Sequence, residues 1–271
     1  MKAYEVSAFT RKGKGGNLAG VVIMDNLLND DEMQEIATRF GYSETAFVEV
    51  FEPNIFNVRF FTVTNEVDLC GHATIATFHL LNEEKYITKK EAFQYTKAGK
   101  LKVIFDENIL MEMSKPILKD DLDKEECAYL LNIDSNKILN KPKIVEVGLP
   151  DCMVIVKDYE TLQSINIRKE ELAKYSDEKE ITGFHVGTIE KNKYYVRNFA
   201  PACGIDEESA TGTANGGMFI YLQSKGYIKG TEEILFKQGD SMNLPSEIAV
   251  KQIDETIWVG GKATTIKELE V

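Results

Sequence analysis

The stretch Asp68 to Leu81, DLCGHATIATFHLL, limits the possible folds more than any other. After Gly71 the chain runs ten residues without a formal charge at neutral pH. A surface helix carries a polar stripe, and this segment has almost none. A short helix that is apolar all round has to be buried all round. It is far shorter than the roughly 18 apolar residues of a membrane span. The neighbouring segments YEVSAF, AGVVIM, TAFVEV, NVRFFTV, LKVIFD and ILMEM are rich in β-branched and aromatic residues and read as strands. Many strands and one such helix call for a curved sheet wrapped around the helix.

The pattern returns. NVRFFTVTNEVDLCGHATIATFHLL aligns with YVRNFAPACGIDEESATGTANGGMFIYL through Val58-Arg59 and Val196-Arg197, and again through Gly71 and Gly212. The offset is 138 residues at the arginine and 141 at the glycine, so the second copy carries three extra residues. So long a period means two similar domains rather than a solenoid. KIVEVG, CMVIVK, GFHVGTI, KYYVRNF, EILFKQ and SEIAVKQ read as the strands of the second copy. The expected fold class is α+β. It has two pseudo-symmetric halves, each a curved, mostly antiparallel, barrel-like sheet around a central apolar helix. The halves are expected at 1–116 and 117–259, with Pro116 at the boundary and 260–271 as a candidate addition to the first. DDEMQEIATRFG reads as an amphipathic helix with Asp30 as N-cap and Gly41 as its stop, and DDLDKEECAYLLNI as a second. ITKKEAF reads as a charged loop.

Composition narrows the function. A net charge of −12 over 271 residues argues against nucleic acid or an anionic membrane as the main partner. The start MKAYEVSAFT lacks the apolar core of a signal peptide. Four scattered cysteines without a CxxC pair read as reduced thiols of a cytoplasmic protein. Three separate histidines without HExxH argue against a zinc enzyme, and no P-loop, GxGxxG or GxSxG occurs, so no metal and no cofactor is expected. Of the histidines, His79 reads as core and His185 as standing alone on a strand.

The two helix starts carry the candidate chemistry. A helix N-terminus offers unpaired N–H groups and partial positive charge. In CGHAT (Gly71, His72, Ala73) and TGTAN (Thr211, Gly212, Thr213) small residues let a ligand carboxylate approach the backbone. His72 reads either as a functional group or as a satisfied helix-start histidine. Glu44, in SETAFVEV, shares a strand face with Ala46, Val48 and Val50. Burial disfavours a charged carboxylate, so an acid on an apolar face is suited to holding a proton and passing it on. On strand pattern alone, a solvated strand-end glutamate is the better fit there. Of Asp206, Glu207 and Glu208, two are expected to serve as caps or dipole partners of the second helix.

SETAFV, LCGHATIAT, NFAPACGIDEESATGTA and KQGDSMNLPSEIAV together resemble the signature regions of the PhzF-like (phenazine-biosynthesis) isomerase family. AFTRKGKGGNLAGVVI is similar to its N-terminal strand pair, so the resemblance spans nearly the whole chain. It implies the diaminopimelate-epimerase-like fold, an active site between two similar halves, and a homodimer. It places the family's proton-handling glutamate at Glu44 and its helix-start histidine at His72. The acid of the second motif, usually Asp-Pro, falls on Glu208-Ser209, and the second hydroxyl, usually serine, on Thr213. Gly71, Ala73, Thr211 and Gly212 are the implied substrate contacts. The C-terminal motif reads Met242-Asn243-Leu244-Pro245-Ser246, without the family's arginine. Glu208 and this change point away from the phenazine precursor as substrate.

The leading expectation is a cofactor-independent isomerase that moves a proton on a small carboxylate metabolite. One alternative is a metabolite-binding protein of the same fold without turnover. Another is an amino-acid epimerase or racemase, which needs two thiols: Cys70 stands at one position but Thr211 holds the other.

Overall fold

The structure, a computed structural model, describes residues 1–25, 28–230 and 232–270. Val271, the last residue of the expected 260–271 addition, lies outside the described residues. The chain divides into two compact units, Met1–Glu112 with Gly260–Val271, and Met113–Val259. The first crossing thus falls ahead of Pro116.

The first unit runs β1 (Lys2–Ala8), β2 (Asn17–Ile23), α1 (Asp30–Phe40), β3 (Thr45–Glu52), β4 (Ile55–Phe61), β5 (Glu66–Val67), α2 (Gly71–Glu83), β6 (Glu91–Thr96), β7 (Gly99–Phe105) and β8 (Ile109–Glu112). The second runs β9 (Ile117–Asp121), α3 (Lys124–Leu131), β10 (Lys143–Val147), β11 (Leu149–Ile155), α4 (Tyr159–Ser164), α5 (Lys169–Glu178), β12 (Phe184–Glu190), β13 (Lys193–Ala200), β14 (Ile205–Glu208), α6 (Gly212–Ser224), β15 (Ile234–Gln238), β16 (Ser246–Ile253) and most of β17 (Thr256–Gly261), whose last two residues belong to the first unit. The chain then returns to the first unit as β18 (Ala263–Leu269), antiparallel to β1.

Strand order carries the repeat into the fold. In the first unit β18, β1 and β2 pair antiparallel, β2–β3 parallel, β3–β4 antiparallel, β4–β6 parallel and β6–β7 antiparallel. In the second, β9, β10 and β11 pair antiparallel, β11–β12 parallel, β12–β13 antiparallel, β13–β15 parallel and β15–β16 antiparallel. The two halves are therefore one α+β design used twice, each a mixed sheet around one helix. From Ala73 to Phe78 every α2 residue is buried, and from Ala214 to Leu222 every α6 residue is. Neither helix has an acid in its first turn.

Arg59 of β4 is held by Glu66 of β5 through two hydrogen bonds of 2.7 Å. Arg197 of β13 is held by Glu207 of β14 at 2.9 and 2.7 Å. The pairs differ by 138 residues at the arginine and 141 at the glutamate, so the extra residues lie in the loop between them. α1 lies on the outer face, packing Met33, Ile36 and Ala37 against Val22, Phe47 and Phe61. The second unit's outer layer is larger and gathers Cys127, Leu131, Leu162, Leu172 and Tyr175 over β11 and β12.

Three local expectations need correction. Asn29, not Asp30, caps α1: Asn29 Oδ1 accepts from Glu32 N at 3.0 Å while Glu32 answers at the Asn29 N–H at 2.8 Å. Both residues suit a cap, and the reciprocal glutamate three residues on from Asn29 decides between them. Gly41 does end the helix, at φ 72°. Glu91–Phe93, the end of the expected loop ITKKEAF, belongs to β6, whose Ala92 and Gln94 point into the core. In DDLDKEECAYLLNI the helix begins only at Lys124, capped by Asp123, and the preceding acids Asp120 and Asp121 close β9.

Candidate functional site

In the first unit, Glu44 precedes β3 and its backbone carbonyl accepts from Gly20 N at 3.1 Å. That bond anchors the residue to β2 and turns its carboxylate toward the start of α2. Glu44 Oε2 is buried and faces His72 Nε2 at 3.2 Å without closing a full hydrogen bond. Ser43 Oγ stands 3.4 Å from the same nitrogen. On the other edge of the ring, Cys70 Sγ lies 3.4 Å from Nδ1. Burial lowers the proton affinity of His72, while the Glu44 charge and a hydrogen bond with the Leu18 backbone partly oppose it. A neutral imidazole beside a carboxylate can accept, hold and return a proton.

No side chain caps α2 or α6. Gly71 is half-buried, and a side chain there would meet nothing nearer than Met111 Cε at 3.9 Å, so the approach to this helix start is open. Ala73 is fully buried, leaving its backbone N–H as the one group it can offer a ligand. Glu44, Cys70 and His72 each present a ligand atom, all within 4.8 Å of one another, and so can also hold a metal ion.

In the second unit, Thr211 Oγ1 donates to Glu208 Oε2 at 2.5 Å. Gln238, at the end of β15, ties this corner together. Its amide donates to the Glu208 carbonyl at 2.8 Å and to Thr211 Oγ1 at 3.1 Å. Its oxygen accepts from Thr211 N at 3.2 Å and from Asn215 Nδ2 at 2.9 Å. Gly212 and Thr213 follow in the first turn of α6, both half-buried, with Thr213 beside Gly148. A few residues away, His185 Nδ1 meets Asn198 Oδ1 at 3.0 Å, and burial pulls this histidine's pKa down to about 4.

The acids before α6 do not cap it. Asp206 pairs with Lys169 at 2.6 Å, Glu207 with Arg197, and Glu208 takes the Thr211 hydroxyl. The strand pairing of β14 with β13 commits these side chains to their neighbours before the helix begins. His79 is half-buried rather than core, with Nε2 3.3 Å from Glu83 one turn on. His185 is not alone on its strand but part of a buried polar cluster.

Sequence reasoning missed Gln238, Asn215, Asn198 and Asp151. Gln238 had one readable signal. It precedes Gly239, at φ 79°, where a Cβ would fall 2.1 Å from the Leu244 carbonyl oxygen. A glutamine locked into so tight a corner is fixed in orientation.

The family model described as phenazine biosynthesis-like protein matches residues 6–268. The chain belongs to the PhzF-like family. An uncharacterized isomerase of Clostridium acetobutylicum is 31% identical, with 99% of this chain and 97% of that protein covered. The uncharacterized isomerase YddE of Salmonella typhimurium is 32% identical over 87% of this chain and 84% of its own length. The crystal structure of a PhzF-family phenazine biosynthesis protein from Bacillus anthracis superposes with a TM-score of 0.88 at 27% identity, covering 100% of this chain and 98% of that one. PhzF-like membership supports isomerase-type activity in general. Among the described residues no helix is long and apolar enough to cross a membrane.

Proposed function

We propose that this PhzF-like protein is a cofactor-independent isomerase that removes a proton from one carbon of a small carboxylate metabolite and returns it to another. The observation that carries this reading is the pair of Glu44 and His72, a buried carboxylate oxygen 3.2 Å from an imidazole nitrogen at an uncapped helix start. Glu44 takes the proton as general base and gives it back as general acid. His72 orients the carboxylate and shares the proton between the two steps. Charge that develops on the substrate is steadied by the N–H groups of Gly71 and Ala73. In the second unit, Glu208, Thr211, Gly212 and Thr213 offer a polar helix start of their own for a ligand's polar groups.

The test is exchange with heavy water. A panel of small cyclic, unsaturated and amino acids is incubated with the purified chain in heavy water and analysed by mass spectrometry. An isomerised acid carrying deuterium at the receiving carbon is the expected result. Partial labelling would mean transfer outpacing exchange with solvent. Because Glu44, Cys70 and His72 can also hold a metal ion, the assay is repeated with chelator. Activity that vanished on chelation, or that needed an added redox cofactor, would overturn the mechanism.

Cys70 near His72 gives the epimerase reading a specific test. Epimerisation by two thiols needs a partner for Cys70, and Thr211 stands at that position. Cys70→Ser is therefore expected to keep most of the activity. A folded but inactive serine variant would restore the epimerase reading.

A further inference from the structure

The second unit contains a carboxyl group that the mechanism above does not use. Asp151 sits on β11, is 1% exposed, and its Oδ1 has no hydrogen-bond partner. Its direction follows from the strand. Side chains along a strand alternate between faces. Cys152 and Val154 belong to the outer core, so Asp151 and Met153 face inward. Met153 reaches α6: a Cβ on Gly217 would fall 2.4 Å from its Cε. Two strand residues span about 6.6 Å, close to the roughly 6 Å of four helix residues. From Met153 toward Asp151 the strand therefore runs toward the start of α6, and Asp151 is close enough to Glu208, which holds the Thr211 hydroxyl, to feel its charge. Gly148, three residues earlier, confirms the direction, since a Cβ there would stand 3.5 Å from Thr213 Cγ2.

Other inward groups share this end of the helix. His185 is paired with Met153 across β11 and β12. His185 is bonded on one side to Asn198 and on the other approaches the Asn215 side chain. Asp151 Oδ1 is thus a buried polar atom without a partner beside this buried polar cluster, near a helix whose N-terminus has no side-chain cap. Leaving such groups without partners costs free energy, and sites are where proteins tolerate that cost.

We propose that Asp151 is a substrate-positioning acid at the start of α6, a neutral carboxyl whose O–H donates to the anionic group of the substrate. This rests on the proposed function for the identity of the substrate, but the donor role stands on the geometry. Two features keep the proton in place. Burial pushes the Asp151 pKa up to about 8, and the Glu208 charge adds to the push. The other titratable groups around it are Cys203, Cys152 and His185. Both thiols are held toward their neutral form by burial, and His185 is neutral above about pH 4. No cation appears among the groups that shift it. A protonated acid can donate to a carboxylate, whereas an ionised one would repel it.

Calorimetric titration of the full chain with benzoate, anthranilate, L-proline and itaconate, from pH 6 to 9.5, tests this. The wild type is expected to bind at least one of them at least tenfold more weakly at pH 9.5 than at pH 6.5, with a midpoint near 8. Asp151→Asn keeps a donor but cannot ionise, so its affinity should hold level across the range. Asp151→Leu has no donor and should bind about tenfold more weakly than wild type at pH 6.5. Glu44→Gln, run in parallel, should retain the alkaline decline. The proposal is overturned if Asp151→Asn shows the wild-type decline, if Asp151→Leu binds like wild type, or if none of the four acids binds at millimolar concentration. Turnover plays no part in this titration. Absence of isomerase activity would end the proposed function and leave this result standing.

Discussion

Replacing Glu44 with glutamine is expected to lower turnover by roughly 10²-fold or more, the scale of a general acid–base contribution, with the fold intact. The substitution changes little else. Glutamine has nearly the same shape, and the backbone carbonyl of residue 44 still accepts from Gly20 N. The approach to His72 Nε2 can be kept by a neutral side chain of the same length. What disappears is a group that can gain and lose a proton at working pH. Turnover should therefore fall much more than substrate affinity, because the interaction lost belongs to the transition state. Glu44→Asp is the informative companion. It keeps the chemistry and withdraws the carboxylate by about one bond, so an intermediate rate marks dependence on reach. A glutamine variant with near-wild-type turnover would remove Glu44 from the mechanism.

How far the sequence revealed this molecule depends on the range of the interactions involved. The burial of α2 and α6 was legible because hydropathy is a local property and neither helix has a polar face. The duplication was legible because Val-Arg and the helix-start glycine survive in both copies. Glu44 and His72 were legible as residue types in a recognisable setting, though the 3.2 Å contact between them depends on a sheet that brings residue 44 to residue 72. The rest was decided by partners distant in sequence. Glu91 to Phe93 read as loop because lysines precede them, yet pairing with β4 and β7 makes them strand. Glu207 was one of three candidate caps or dipole partners because it lies near α6, yet it belongs to an arginine ten residues upstream. Asp151 carries no local signal of its surroundings, and Gln238 only that of the glycine after it. Their importance appears only where four chain segments meet.

The duplicated arginines give the second large effect, and it is expected to be unequal. Arg197 is 8% exposed. Besides its two bonds to Glu207, its Nη1 donates to the carbonyls of Leu162, Gln163 and Ile165 at 3.0, 3.4 and 2.9 Å. Those carbonyls end α4 and open the segment leading to α5, so this one side chain fastens the outer layer to β13. Arg197→Met leaves Glu207 with the Ser241 hydroxyl and deprives three carbonyls of their donor. Removing one partner of a buried ion pair typically costs 3–5 kcal/mol. Arg59 has a side chain 24% exposed, one of its partners, Asp30, is 77% exposed, and Glu66 keeps Lys97 at 2.5 Å if the arginine is lost. Glu66 itself is only 10% exposed, but Lys97 still neutralises it, so Arg59→Met should cost less than Arg197→Met, about 1–2 kcal/mol. Trp258, the single tryptophan, lies in the second unit and reports its denaturation by fluorescence. Hydrogen exchange along α2 and α6 follows both units. The double variant Arg197→Met with Glu207→Gln should recover part of the loss, since it removes the stranded charge as well. Equal losses at the two arginines would show that the repeated pairs do equivalent work, and that the three carbonyl bonds add nothing.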